Sequence, residues 1–172
     1  MSRYELVPGS SWLSIHARSS THPIDVEAAG VHGAFEAERA ESGLVIGPPG
    51  ELTVDVSELR SGSGFVDRET HRRLDLRRHP RITARLTRAA PTTGGHGFLC
   101  EGTITLLGVE RPVHGELTVV VNGDGSLQLS GEQRFDVREW GIEPPRLLLL
   151  RVHPEVRVRL RALALPVEGT GD

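Results

Sequence analysis

Across residues 97–135 the chain alternates apolar and polar positions with a period of two through three consecutive runs, the spacing of strands with one buried face. Phe98, Cys100, Gly102, Ile104 and Leu106 share one face, against Leu99, Glu101, Thr103 and Thr105 on the other. A short turn through Gly108 ends at Pro112, and Val113, Gly115, Leu117, Val119 and Val121 then repeat the pattern. Asn122-Gly123-Asp124-Gly125 supplies residues that tolerate positive φ, the chemistry of a hairpin turn. Leu127, Leu129, Gly131, Gln133 and Phe135 make the third apolar face. A meander of long strands with one apolar face must curl over something, which restricts the fold to a barrel or a sandwich.

Other segments agree. Residues 12–19, 25–37, 51–59 and 80–89 read as strands, with Leu52, Val54 and Val56 or Ile82, Ala84 and Leu86 on one face. In the last run Val156, Val158, Leu160 and Ala162 alternate with Arg157, Arg159 and Arg161, so the arginines should face solvent. The total is about eight strands, the number at which a closed antiparallel barrel encloses one small ligand. Residues 67–80 break the pattern: they are charged, lack β-branched runs and end at Pro80. They predict one short inserted helix near residues 66–76, with Ser63 or Asp67 as N-cap. Its six arginines between Arg68 and Arg81 fit either a phosphate-binding surface or a solvated face with Asp and Glu partners. The turn-rich stretches 47–50 and 91–95 are too short to separate domains, so one domain is expected over residues 1–166 with a disordered tail at 167–172.

Composition removes several function classes. The formal charge is −3 and the pI about 6.2, so no global field selects a nucleic acid or an anionic lipid surface, and no nucleic-acid partner is expected. All twenty basic residues are arginine, which excludes a lysine Schiff base or a lysine general base. The single cysteine, Cys100, cannot form an intramolecular disulfide and lies on an apolar strand face, the setting of an inert buried thiol. None of the eight histidines forms H-x-H or H-E-x-x-H spacing, and no Cys pair exists, so neither a metal nor a cofactor is expected. Phosphate-loop, nucleophile-elbow and dinucleotide motifs are missing, and Gly62-Ser63-Gly64 reads as the turn into the helix. The first residues carry no secretory apolar core, and the longest apolar run covers only residues 147–150. The expectation is a soluble cytoplasmic chain without stable membrane insertion.

The order of these elements resembles the YceI-like family of lipocalin-like barrels that bind polyisoprenoids and other lipids. The most specific stretch is Gly102-Thr103-Ile104-Thr105-Leu106-Leu107-Gly108-Val109-Glu110-Arg111-Pro112-Val113, similar to the family's G-x-L-T-x-x-G-V-x-x-P-V. Asp67-Arg68-Glu69-Thr70-His71 with Leu74, Asp75, Pro80 and Ile82 resembles its R-D-x-H-L helix and P-x-I strand. Val31-His32-Gly33-Ala34-Phe35 is similar to V-x-G-x-F, and residues 135–142, ending in Trp140-Gly141-Ile142, resemble the D-F-G-I segment. The likeness runs from about residue 12 to residue 165. Departures remove aromatic bulk: Ile15 stands where the family has Phe, Ser19 where it has His, and Leu74 and Leu76 where it has a Phe pair.

The resemblance implies an all-β, antiparallel lipocalin-like barrel whose interior binds, transports or sequesters a long apolar ligand: a polyisoprenoid, an isoprenoid quinone or a fatty-acid-like chain. It also suggests a homodimer. The inward residues expected to line the site are Leu13, Ile15, Phe35, Ile82, Phe98, Cys100 and Ile104. Leu117, Leu129, Phe135, Trp140, Ile142 and Leu148 complete the set, with Trp140 and the leucines after Pro145 packed at one mouth. Two other readings stay open: an enzyme inside the barrel with His16, Arg18 or His22 as acid or base, and an interaction module that presents the arginine-rich helix.

Overall fold

Period-two patterning becomes twelve strands and one α-helix among the residues described by the computed structural model, 1–144, 146–147 and 150–168, with side chains for 1–144 and 151–168. In chain order these are β1 (Ser2–Leu6), β2 (Trp12–Ser19), β3 (Ile24–Ala29), β4 (His32–Ala40), β5 (Gly43–Asp55) and β6 (Leu59–Arg60). Helix α1 (Gly64–Arg73) precedes β7 (Arg81–Pro91), β8 (Gly97–Leu106), β9 (Val109–Val121), β10 (Leu127–Asp136), β11 (Arg146–Leu147) and β12 (Leu150–Pro166). Every pairing is antiparallel.

Eight strands close a barrel in the order β1-β4-β5-β7-β8-β9-β10-β12 and back to β1. The seam is β12. One edge pairs with β10 over ten residues, from Ala164 to Glu155. The other edge is shared: residues 164–166 meet β1 and residues 152–161 meet β2, from which β3 and β6 extend. At the β1 end, Leu6, Ala37, Phe98, Val119, Leu127 and Ala164, from six of the eight barrel strands, are all buried and pack in the interior. The outward set behaves as the alternation requires: Leu99 is 57% exposed beside Phe98 at 2%.

Helix α1 closes the other end. Ser63 caps it by accepting from the Val66 N–H at 3.4 Å, and Pro80 ends the segment that follows. Two polar pins hold it to the chain before it. The Asp67 carboxylate accepts from both the Ser61 N–H and hydroxyl at 2.7 Å, and His71 Nε2 donates to the Leu59 carbonyl at 3.0 Å. Asp67 is buried, and the cost of that desolvation is outweighed by the Ser61 bonds and the nearby Arg60 and His71 side chains. Its pKa therefore lies below the ordinary aspartate value.

Several expectations are corrected in detail. Strand β1 carries no clear alternation and was not expected, yet it closes the barrel by pairing with both β4 and β12. The run 25–37 is two strands, separated by Gly30 with φ +72°. The run 51–59 ends as a strand at Asp55, and Val56–Glu58 is a 3₁₀ turn. Residues 47–50, read as a linker, lie inside β5 at a bulge opposite Phe35 and Glu36, where prolines lose no ladder hydrogen bond. At the tail, the Val167 N–H donates to the Arg3 carbonyl at 2.8 Å, and residues 169–172 lie outside the described residues.

Candidate functional site

The interior below the plugged end is hollow. Two cavities of about 290 Å³ each adjoin at a waist formed by the residues that border both, Leu13, Leu52, Ala84, Ile104, Phe135, Val158 and Leu160, and together they make up the lumen of the barrel. Its lining on β12 runs from Val152 to Leu160 through the bulge between Val152 and Val156, at most about 26 Å along the strand and so up to roughly 20 Å along the barrel axis for a strand tilt of about 40°.

The two halves are built differently. The half nearer β1 is walled by regular sheet. Phe35, Ile46, Cys100, Leu117 and Leu129 reach into it, and Gly115 leaves space beside the Gln133 side chain. Gly102 has a different role: a Cβ there would overlap the Arg85 carbonyl oxygen, so its absence permits the close approach of β7 and β8 at the bulge between Leu86 and Arg88. Burial raises the pKa of the Cys100 thiol, which keeps it protonated in this apolar wall.

The half nearer α1 is walled by sheet on one side and by irregular elements on the other. Asp136 caps a 3₁₀ turn, Val137–Trp140, by accepting from the Arg138 N–H at 2.9 Å. Gly141 then takes a left-handed conformation at φ +77°, where a side chain would be strained. This turn swings Trp140 inward. Its Nε1 donates to the Ile104 carbonyl at 3.0 Å, and its ring meets Phe135 edge-to-face at 6.0 Å. Arg111 Nε donates to the Glu139 carbonyl at 2.9 Å and ties the turn to β9. Trp140 and Ile142 are buried and line the lumen, as do Val66 of α1 and Leu74 just after it.

Of the residues expected to line the site, Leu13, Ile104 and Phe135 border both halves. Phe35, Cys100, Leu117 and Leu129 border the β1 half, and Ile15, Ile82, Trp140 and Ile142 the α1 half. Phe98 borders neither; it sits in the plug, because its level on β8 is where the interior is already filled. Leu148 lies outside the described residues. Leu52 and Ala84 belong to the same alternating runs and were legible by the same rule. Thr70, Arg73 and His153 also border the α1 half, and no strand periodicity marks them.

The acid or base candidates point elsewhere. His16 lies on the outer face with Nδ1 2.6 Å from Asp25 Oδ1, Arg18 and His22 are exposed, and none of the three lines the lumen. On the helical segment Arg72 pairs with Glu69 at 3.0 Å, Arg78 with Asp75 at 4.0 Å and Arg81 with Asp55 at 3.4 Å, the pattern of a solvated face. Among the described residues no group of three His, Cys, Asp or Glu side chains is placed to hold a metal. No described helix is long and apolar enough to cross a membrane.

A closed eight-stranded antiparallel barrel around an apolar lumen defines a lipocalin-like β-barrel. The chain belongs to the YceI-like domain family, whose model matches residues 4–164. Among solved structures it is similar to a polyisoprenoid-binding domain from Saccharophagus degradans implicated in plant cell wall breakdown. That match has 12% identity and a TM-score of 0.80 over 97% of this chain and 100% of the other. It is also similar to BcnA of Burkholderia cenocepacia, at 16% identity and a TM-score of 0.75 over 90% of this chain and 96% of that one. The YceI protein of Campylobacter jejuni matches at 10% identity and a TM-score of 0.63, over 80% and 81%. No curated protein sequence matches the chain. At these identities the likeness establishes the fold.

Proposed function

We propose that the protein binds a long apolar chain within the barrel lumen and carries or sequesters it. The observation that carries this reading is the lumen itself: two adjoining cavities inside the barrel whose accessible walls are almost wholly apolar. Such a space is costly to hold filled with water and favourable to fill with hydrocarbon, at about 0.8 kcal/mol for each CH₂ buried. The polyisoprenoid-binding description of one structural relative supports the same ligand class. An isoprenoid or acyl chain of matching length suits a lumen up to roughly 20 Å long better than a compact molecule does. A carrier is favoured over an enzyme because His16, Arg18 and His22 do not line the lumen.

Organic extraction of the purified protein, followed by mass spectrometry, should yield an isoprenoid or acyl species in near-stoichiometric amount. In a Trp12→Phe background, adding a polyprenyl alcohol or palmitate should shift or quench Trp140 emission. A chain that binds with measured affinity yet leaves Trp140 emission unchanged places binding outside the lumen.

A further inference from the structure

Three polar side chains interrupt the apolar lining of the α1 half: Thr70, Arg73 and His153. Every other residue bordering that half is Ala, Val, Leu, Ile, Phe, Trp or Pro. Thr70 and Arg73 are three residues apart on α1 and therefore share one helix face, and the exposed His153 stands near the start of β12, next to Val152, where the lumen lining on that strand begins. At the opposite end Leu6, Ala37, Phe98, Val119, Leu127 and Ala164 are buried in the interior. The β1 half is bordered by polar residues too, Gln133 and the exposed Arg85–Glu51 pair among them, so what sets the α1 half apart is the half-buried guanidinium of Arg73.

Arg73 differs from its neighbours on the segment. Arg72, Arg78 and Arg81 hold carboxylates on the outer surface, whereas Arg73 is half-buried and borders the lumen. Its Nε is shielded from solvent and has no hydrogen-bond partner among the described residues. The nearby carboxylates are already engaged: Asp67 by Ser61, Glu69 by Arg72 and Asp75 by Arg78. The carbonyls at the end of α1 do not take the Nε proton either; those of Thr70 and Arg72 accept from the Leu74 N–H. A shielded guanidinium N–H without an acceptor is unfavourable, and a carboxylate or phosphate oxygen is the acceptor its geometry suits best.

We propose that the α1 end of the lumen is a head-group site for an anionic amphiphile, in which Arg73 donates to a carboxylate or phosphate while Thr70 and His153 complete the polar rim and the hydrocarbon extends toward the β1 end. The inference rests on the lumen-binding function above and adds the chemistry and the direction of the ligand. It also assigns a role to one arginine of the helix that a solvated face leaves unexplained.

The test compares four ligands with the same sixteen-carbon chain: hexadecanoate, hexadecyl phosphate, hexadecanol and methyl hexadecanoate, each titrated by Trp140 emission in the Trp12→Phe protein. The two anions should bind roughly tenfold or more tightly than the alcohol and the ester, the gain expected of one charge-assisted hydrogen bond in a shielded site. In Arg73→Gln the anion-to-alcohol ratio should fall toward one, and in Thr70→Val it should fall by a smaller factor. Equal affinities for all four ligands in the unaltered site overturn the head-group assignment and leave chain binding intact. Binding of none of them overturns both. Inorganic phosphate that binds as tightly as hexadecyl phosphate, with the same dependence on Arg73, overturns the amphiphile and leaves a free-anion site.

Discussion

The two ends of the barrel solve opposite problems with opposite materials. At the β1 end, regular strands converge and pack their own side chains together: Phe98, Val119, Leu127 and Ala164 are all buried. At the α1 end the ladder gives way to a helix, a 3₁₀ turn and a bulged strand edge, held by discrete polar bonds: Asp67 to Ser61, His71 to Leu59 and Trp140 to Ile104. A closed end can be made from sheet alone. The end that borders the proposed head-group site is built from elements whose backbone is satisfied locally and whose side chains can differ from an apolar period. The comparison predicts that substitutions at the β1 end act on stability, whereas those at the α1 end act on stability and ligand together.

The largest effect is expected in the plug. Phe98→Ala should lower stability by about 3–5 kcal/mol, measured by urea denaturation, because a fully packed ring is removed where the closed sheet cannot collapse. The folded fraction should keep its ligand affinity, since Phe98 does not border the lumen. A loss of affinity larger than the loss of stability would erase the distinction between the ends.

Next comes the pin on the helix. Asp67→Asn should cost about 2 kcal/mol, because the charge-assisted bonds to Ser61 are weakened at a buried site. It should also change the pH profile. The folded carboxyl has a lowered pKa, so its contribution is complete above the ordinary aspartate range and is lost as the pH falls through the lowered folded value. The acid limb of a plot of Tm against pH should therefore be flatter in the variant than in the parent protein. An unchanged limb would mean that Asp67 does not anchor α1.

Trp140→Phe removes the N–H donated to the Ile104 carbonyl and should cost about 1 kcal/mol, with weaker ligand binding as well because the ring borders the lumen. The smallest effect is expected on the outer face. Arg159→Glu breaks a 2.6 Å exposed pair with Glu132 and should shift stability by less than about 1 kcal/mol without touching binding. A severe loss there would mean that the inside and outside of β12 have been exchanged.

The same contrast explains what could be read from the sequence. In β8, β9, β10 and the later part of β12 each side chain reports its face, because the pleat fixes direction and the barrel fixes which face is dry. The inward sets of those strands, from Cys100 and Ile104 to Leu117, Leu129 and Phe135, follow from period two alone. Phe98 shares that period and still misses the lumen, since periodicity gives the face and not the height along the barrel axis. Strand β1 was hidden because it is short and its neighbours, β4 and β12, are remote in sequence. Arg73 was hidden among arginines: on a helix with charge on most sides, only the packing against the barrel decides which one turns inward.

The central claim is that the barrel lumen holds the ligand, and its most direct test is methyl-resolved NMR of the protein with a protonated sixteen-carbon ligand in otherwise deuterated solution. Intermolecular contacts should appear at the waist, on Leu13, Ile104, Val158 and Leu160, and extend to Leu129 on one side and Ile15 on the other. Contacts confined to exposed methyls of the outer wall, such as Leu99 and Val120, with none at the waist, would contradict the account.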